Sequence, residues 1–221
     1  MTRIICDSGP LISFSDTCLV NVLKFLKQRG AEFVIPGSVQ REIVETPLKI
    51  RRYAFSAVRL HKSIDDGDLK LVNPNENTIN QIASAANSIF SVRGNTLKIL
   101  HAGEAACLAA YKQFKCDALA IDEKTTRLLI EDPALLQEKM FEEYGSKVVM
   151  NKKSLDAFAM LTSGISIIRS TELLAVAAKR GYFNSFGEHK DQAFYTAIYA
   201  LKQAGCSISE KEVSDYQKLK F

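Results

Sequence analysis

The chain has 221 residues, 47 % of them hydrophobic and 24 % charged, with a formal net charge of +4 at pH 7. That length fits one domain with elaborations, at roughly 100–200 residues per domain, and the composition excludes a disordered tail, a collagen and a disulfide scaffold. No apolar run approaches the roughly 20 residues of a membrane span.

Ile4-Ile5-Cys6 is a short apolar run stopped at Asp7-Ser8-Gly9-Pro10, the pattern of a buried strand ending in a turn. An acid at Asp7 comes too early for a secretory signal, so a cytoplasmic location is expected. Leu19, Val22, Leu23 and Leu26 recur at helical spacing before Gly30. Phe33-Val34-Ile35 reads as a second strand, Pro36 opens a helix over Ser38 to Glu45, and Pro47 ends it. Residues 47–62 carry Lys49, Arg51, Arg52, Arg59 and Lys62 and no acid. A strand is predicted at 69–72, a helix at 76–92 broken by Gly94-Asn95, and a mostly buried helix at 97–114. Ala118-Leu119-Ala120-Ile121 is another buried strand, ending at Asp122, with a helix from Lys124. Residues 132–160 give no clear period. Ile165 to Ile168 reads as a strand, Thr171 to Arg180 as a helix stopped by Gly181, and two helices close the chain at 188–203 and 209–219. Ser209 and Glu212 have capping-box spacing. Five cysteines, odd in number and without a CxxC pair, read as reduced thiols. Apolar strands alternating with helices predict an α/β fold whose mainly parallel sheet is covered on both faces.

Four acids fall where such a fold gathers them. Asp7 and Asp122 each end a buried strand, and ligands of open parallel sheets bind beyond the carboxyl ends of the strands. Glu104 lies on the stripe of Leu97, Leu100, Leu108 and Tyr111, where an unpaired carboxylate would cost several kcal/mol. Glu42 flanks the apolar side of its helix, marked by Val39 and Ile43. Each acid alone also reads as a turn former, a cap or a surface residue. Together in one crevice they repel, and either some protonate or a cation joins them. Oxygen ligands without His or Cys select Mg²⁺ or Mn²⁺, and the reaction that follows is phosphodiester hydrolysis.

The segments around these acids resemble the PIN-domain nucleases. Ile4 to Ile12 looks like that family's first strand and acid, Val34 to Ile43 like its second strand and second-acid helix, and Ala102-Gly103-Glu104 like its third acid. Leu119 to Arg127 looks like its fourth strand with an acidic pair and a following Arg. Ile167 to Leu174 with Ala177 to Gly181 resembles its last strand and helix. The resemblance implies a three-layer α/β/α fold and a Mg²⁺ or Mn²⁺ site of Asp7, Glu42, Glu104 and Asp122. It implies an endoribonuclease acting on single-stranded or structured RNA. Ser8, Glu123 and Ser170 or Thr171 would support the carboxylates or metal waters. Apart from the resemblance, Arg51 and Arg52 of the basic stretch are candidates to hold RNA, and Arg127 and Arg169 either hold a scissile phosphate or pair with a local acid. Many small members are toxins of toxin–antitoxin pairs, which brings in an antitoxin or other protein partner and a homodimer as candidate partners. This chain departs from them by insertions at 47–96 and 132–160 and a helical extension at 182–221, within one domain over 1–221.

The basic stretch would track an RNA backbone, with Tyr53, Phe55 and His61 placed to stack on bases; a solvated helix face is the other reading. His101 has no second His at ligand spacing and is not expected to bind metal. The alternative function is a catalytically silent module of the same fold that binds RNA or protein. A receiver domain fits poorly, and Gly9 two residues after Asp7 excludes a DxD phosphatase nucleophile.

Overall fold

The computed structural model describes residues 1–221. Strand β1 (Thr2–Cys6) leads into helix α1 (Ser8–Asp16), with Asp7 as its cap, accepting from the Gly9 N–H at 3.4 Å. Helix α1 stands where the sequence suggests a turn. Gly9 and Pro10 are tolerated because the N–H groups of a first helical turn have no intrahelical partner to lose. Helix α2 (Asn21–Lys27) and strand β2 (Ala31–Pro36) follow. Helix α3 (Gly37–Gln40) runs into a π turn at Arg41–Glu45 and a 3₁₀ turn at Pro47–Lys49, then helix α4 (Arg51–Asp65) and strand β3 (Leu69–Val72).

Helix α5 (Glu76–Ala86) is shorter than its apolar period, because Phe90 to Val92 belong to strand β4 (Phe90–Val92), which turns into β5 (Asn95–Thr96). Arg93 and Gly94 both take positive φ, 51° and 83°, the backbone of a two-residue hairpin turn. Helix α6 (Ala102–Gln113) starts five residues later than predicted, capped at His101. Strand β6 (Ala118–Ala120), helices α7 (Lys124–Glu131) and α8 (Pro133–Tyr144), strand β7 (Val148–Met150) and helix α9 (Lys152–Thr162) come next. The chain ends with β8 (Ile167–Ile168), α10 (Ser170–Lys179), a 3₁₀ turn at Asn184–His189, α11 (Lys190–Gln203) and α12 (Glu210–Gln217).

The central sheet has the order β3-β2-β1-β6-β8, all parallel, with Ile4 opposite both Phe33 and Ala118. Right-handed crossovers put α1, α2, α4 and α10 on one face and α5 and α6 on the other, a three-layer α/β/α arrangement. Helix α6 is buried along almost its whole length. The core it shares with the strands includes Ile5, Leu11, Phe14, Phe33, Ile35, Leu108 and Leu119.

Much of the stretch 47–96 proves integral to this frame, since β3 is an edge strand of the central sheet. The remainder joins the 132–160 segment. Strand β4 pairs antiparallel with β7, and α5 packs on α9, so the two additions meet in a second, three-stranded sheet ordered β5-β4-β7. No helix is long and apolar enough to cross a membrane, and all five cysteines are free.

Candidate active site

The strand order reverses between β1 and β6, because the chain leaves β1 toward β2 on one side and returns to β6 on the other. A crevice opens at such a switch point, beyond the carboxyl ends of the strands. Asp7 follows β1 and Asp122 follows β6, separated by Gly9: a Cβ at Gly9 would lie 3.6 Å from the Asp122 Cβ and 3.8 Å from Asp7 Oδ2.

Asp7, Glu42, Glu104 and Glu123 line one cavity of about 430 Å³ together with Ser8, Gly9, His101 and Gly103; no hydrophobic, Lys or Arg side chain is among them. Asp7 is buried. Burial and the neighbouring Glu104 charge push its carboxyl up to about 7, Glu42 adds to the shift, and the Ser8 and Gly9 N–H groups oppose it. Glu104 is buried as the third residue of α6. Its Oε2 accepts from the His101 N–H at 2.6 Å and its Oε1 from the Thr126 hydroxyl at 2.7 Å. Burial raises the Glu104 pKa, against the pull of these two donors. Glu42 stands on the π turn, a local widening common at functional sites. Its exposed carboxylate accepts no hydrogen bond, in contrast to those of Glu104 and Glu123.

Glu42 reaches the cavity because residue 103 is glycine. A Cβ at Gly103 would stand 2.5 Å from Glu42 Oε1. The clash falls on the tip of a flexible side chain, so the fold absorbs it and the carboxylate moves. Gly103→Ala is therefore expected to lower the cavity's affinity for a divalent cation about 10–100-fold while holding or slightly raising the unfolding temperature, as alanine favours helix. Calorimetric Mn²⁺ titration beside a thermal melt checks this, and unchanged Mn²⁺ affinity would remove Glu42 from the site.

Asp122 lies beneath the cavity and is only 2 % exposed. Its Oδ1 accepts the Ser170 N–H at 2.8 Å and its Oδ2 the Ser170 hydroxyl at 2.7 Å. Its carbonyl accepts the Ser207 N–H at 3.2 Å, which brings the C-terminal extension against the back of the site. Glu123 caps α7, accepting from Thr125 and Thr126 N–H groups at 2.7 and 2.6 Å. As they stand, no three His, Cys, Asp or Glu side chains come together closely enough to hold a metal ion.

The other residues singled out in the sequence are distributed unevenly. Ser8 lines the cavity and Ser170 holds Asp122. Thr171 faces away, accepting from Tyr216 Oη at 3.5 Å and Cys206 Sγ at 3.9 Å, because α11 and α12 cover that side of α10. Arg51 and Arg52 are exposed at the start of α4. Arg127 is half-buried on α7, its Nε without a partner. Arg169 is buried and committed elsewhere: its guanidinium binds Glu172 Oε1 at 2.9 Å and Glu212 Oε1 at 2.7 Å, so it faces α12 and not the cavity. Sequence reasoning missed Thr126, a hydroxyl in the first turn of α7 whose burial against Glu104 only the fold reveals. It also passed over Gly103 and the cavity position of His101.

A family model described as a PIN domain matches residues 3–133 of the chain. No curated protein and no solved structure matches it.

Proposed function

Because the chain belongs to the PIN-domain family, whose members are generally nucleases that use divalent metal ions, we propose that it is a Mg²⁺- or Mn²⁺-dependent endoribonuclease. The observation that carries this reading is the cavity itself, in which four carboxylates meet with no Lys or Arg to neutralise them. The donor set suits a hard cation. Asp7 is a buried carboxylate without a cationic partner, and Glu42 is free of hydrogen bonds. Mg²⁺ needs no closed cage, since it commonly takes one or two carboxylates and keeps several waters.

One or two of Asp7, Glu42 and Glu104 would hold the ion directly and the others through its waters, with Asp122 fixed behind them by Ser170. A divalent ion bound there supplies a water of lowered pKa and charge stabilisation for the phosphoryl oxygen. The chain's own part is orientation. The His101 N–H and the Thr126 hydroxyl fix Glu104, Gly103 leaves room for Glu42, and the absence of apolar lining keeps the cavity wet. Arg127, on α7 just past Glu123, and Arg51 and Arg52, beside the π turn, are the cations proposed to hold the RNA backbone. The test is cleavage of a pool of cellular RNAs by the purified chain and by its Asp122→Asn variant, with Mn²⁺ and with EDTA. Metal-dependent cleavage lost in the variant supports the reading. Cleavage that survives EDTA or the substitution would overturn it, and no cleavage by either favours the catalytically silent module.

A further inference from the structure

Helix α4 connects β2 to β3, two parallel strands that both run toward the cavity end of the sheet. It must therefore run back, and its first residues lie at that same end. It packs on the π turn that carries Glu42. Its inner stripe of Ala57 and Leu60 is buried against the core. On the outer face Arg51, Phe55 and Arg59 follow one another at four-residue steps, one row along a helix, spanning about 12 Å at about 1.5 Å per residue.

Phe55 is 71 % exposed and Tyr53 46 % exposed. The Phe55 ring stands out into solvent, whereas Tyr53 continues the row of Ala57 and Leu60 and is more than half covered; each has a guanidinium beside it. Arg59 lies 4.7 Å from the Phe55 centroid and Arg52 lies 5.6 Å from that of Tyr53. No acid occurs between Glu45 and Asp65, and neither Arg51, Arg52 nor Arg59 forms a salt bridge. An exposed ring flanked by cations that have no acidic partner, of which Arg59 is half-buried and also donates to Cys18 Sγ at 3.2 Å, matches a strand whose bases are free to stack and whose phosphates need neutralising. A membrane-surface helix would instead present a continuous apolar face, whereas here an Arg flanks Phe55 one turn away on each side.

We propose that the outer face of α4 is a track for single-stranded RNA, on which Phe55 stacks on a base while Arg51, Arg52 and Arg59 bind phosphates, delivering the strand to the acidic cavity. The inference rests on the nuclease reading for its direction and is separable from it in the test. The probe is a fluorescein-labelled single-stranded oligouridylate, with anisotropy read in EDTA on the full chain carrying Asp7→Asn, so that nothing is cut. Phe55→Ala in that background is expected to weaken binding about tenfold or more, and Phe55→Tyr to keep it. Arg51→Gln should reduce the salt dependence, the slope of log K against log salt, by about 0.7. An RNA duplex should compete weakly. Phe55→Ala binding as tightly as its parent overturns the track, as does binding to phosphatidylserine vesicles in place of the oligouridylate. Tight, Phe55-dependent binding by a chain that cleaves nothing in Mn²⁺ leaves the track standing and removes the nuclease. Metal-dependent cleavage of cellular RNA without oligouridylate binding does the reverse.

Discussion

Replacing Asp7 with asparagine is expected to do two opposite things. RNA cleavage should fall by at least about a thousandfold, the scale of losing several kcal/mol of metal-derived charge stabilisation. The metal-free protein at pH 8 should become more stable. The physical cause is the position of Asp7, buried at the end of β1 among the Glu104 and Glu42 charges, which raises its carboxyl from 3.8 to about 7. A raised carboxyl pKa means that the fold holds the proton more tightly than the unfolded chain does. The associated stability is fully present below about pH 4, where both states are protonated. It is lost as pH rises through about 7, where the folded protein must carry the buried charge. From 3.8 to about 7, at about 1.4 kcal/mol per pH unit, the penalty is about 4 kcal/mol. Asparagine keeps the capping oxygen for the Gly9 N–H and discards the charge. At about 2–4 °C per kcal/mol for a chain of this length, the variant should melt about 8–16 °C higher than the parent at pH 8. The gap should close as pH falls toward 4. Mn²⁺ should raise the melting temperature of the parent, more strongly at pH 8 than at pH 6 because protons compete for the same oxygens, and should leave the variant unmoved. Equal melting of both proteins across this pH range would mean that Asp7 is not a buried charge and that the cavity does not need a cation.

Three of the four acids singled out in the sequence break a local pattern, while Glu42, on the flank of an apolar helix face, does not. Glu104 interrupts an apolar stripe, and Asp7 and Asp122 end apolar runs, so their positions at strand and helix ends follow from periodicity alone. The parallel character of the central sheet is likewise implied by apolar strand runs alternating with helices, though the order of its strands is not. What escaped is mostly what depends on distant partners. Strand β4 is three residues long and continues the period of α5, so it reads as helix; its identity comes from β7, whose Val148 and Met150 pair with Val92 and Phe90. Helix α1 escaped for a different reason. Asp-Ser-Gly-Pro is a turn sequence and a helix start in equal measure, and the decision falls to Leu11 and Phe14, which need a face of the sheet to cover. Arg169 was legible only in half. A cation at the end of a strand suggests a phosphate holder or the partner of a local acid; Glu172, three residues on, is that acid, while the second partner, Glu212, is 43 residues away and visible to no local pattern.

That contrast makes Arg169→Met the second decisive variant. The guanidinium is buried between α10 and α12, bonded to Glu172 Oε1 and Glu212 Oε1 and 3.4 Å from the Ser207 carbonyl. Burial alone would lower its pKa, and the two carboxylates outweigh that and raise it. Glu212 is held down at about 2 because Ser209 and Arg169 together overcome its own burial. Removing one side of a buried pair costs about 3–5 kcal/mol. Both glutamates retain side-chain exposure of 38 % and 40 %, so they can rehydrate and the loss is expected near about 2–3 kcal/mol. The opening should be local. Hydrogen exchange should accelerate in α12 and at the Ser207 N–H, which bonds the Asp122 carbonyl. A second substitution, Glu212→Met, made on top of the first should cost much less than it does alone, since the pair acts as a unit. Because Ser170, the next residue in the chain, holds both Asp122 oxygens, cleavage should fall with the same variant. RNA affinity, measured in EDTA, should not. Lower RNA affinity with unchanged melting would return Arg169 to the role of phosphate holder. Loss of stability with unchanged affinity makes the C-terminal extension the brace behind Asp122, coupling the last helix of the chain to the acid that closes its fourth central strand.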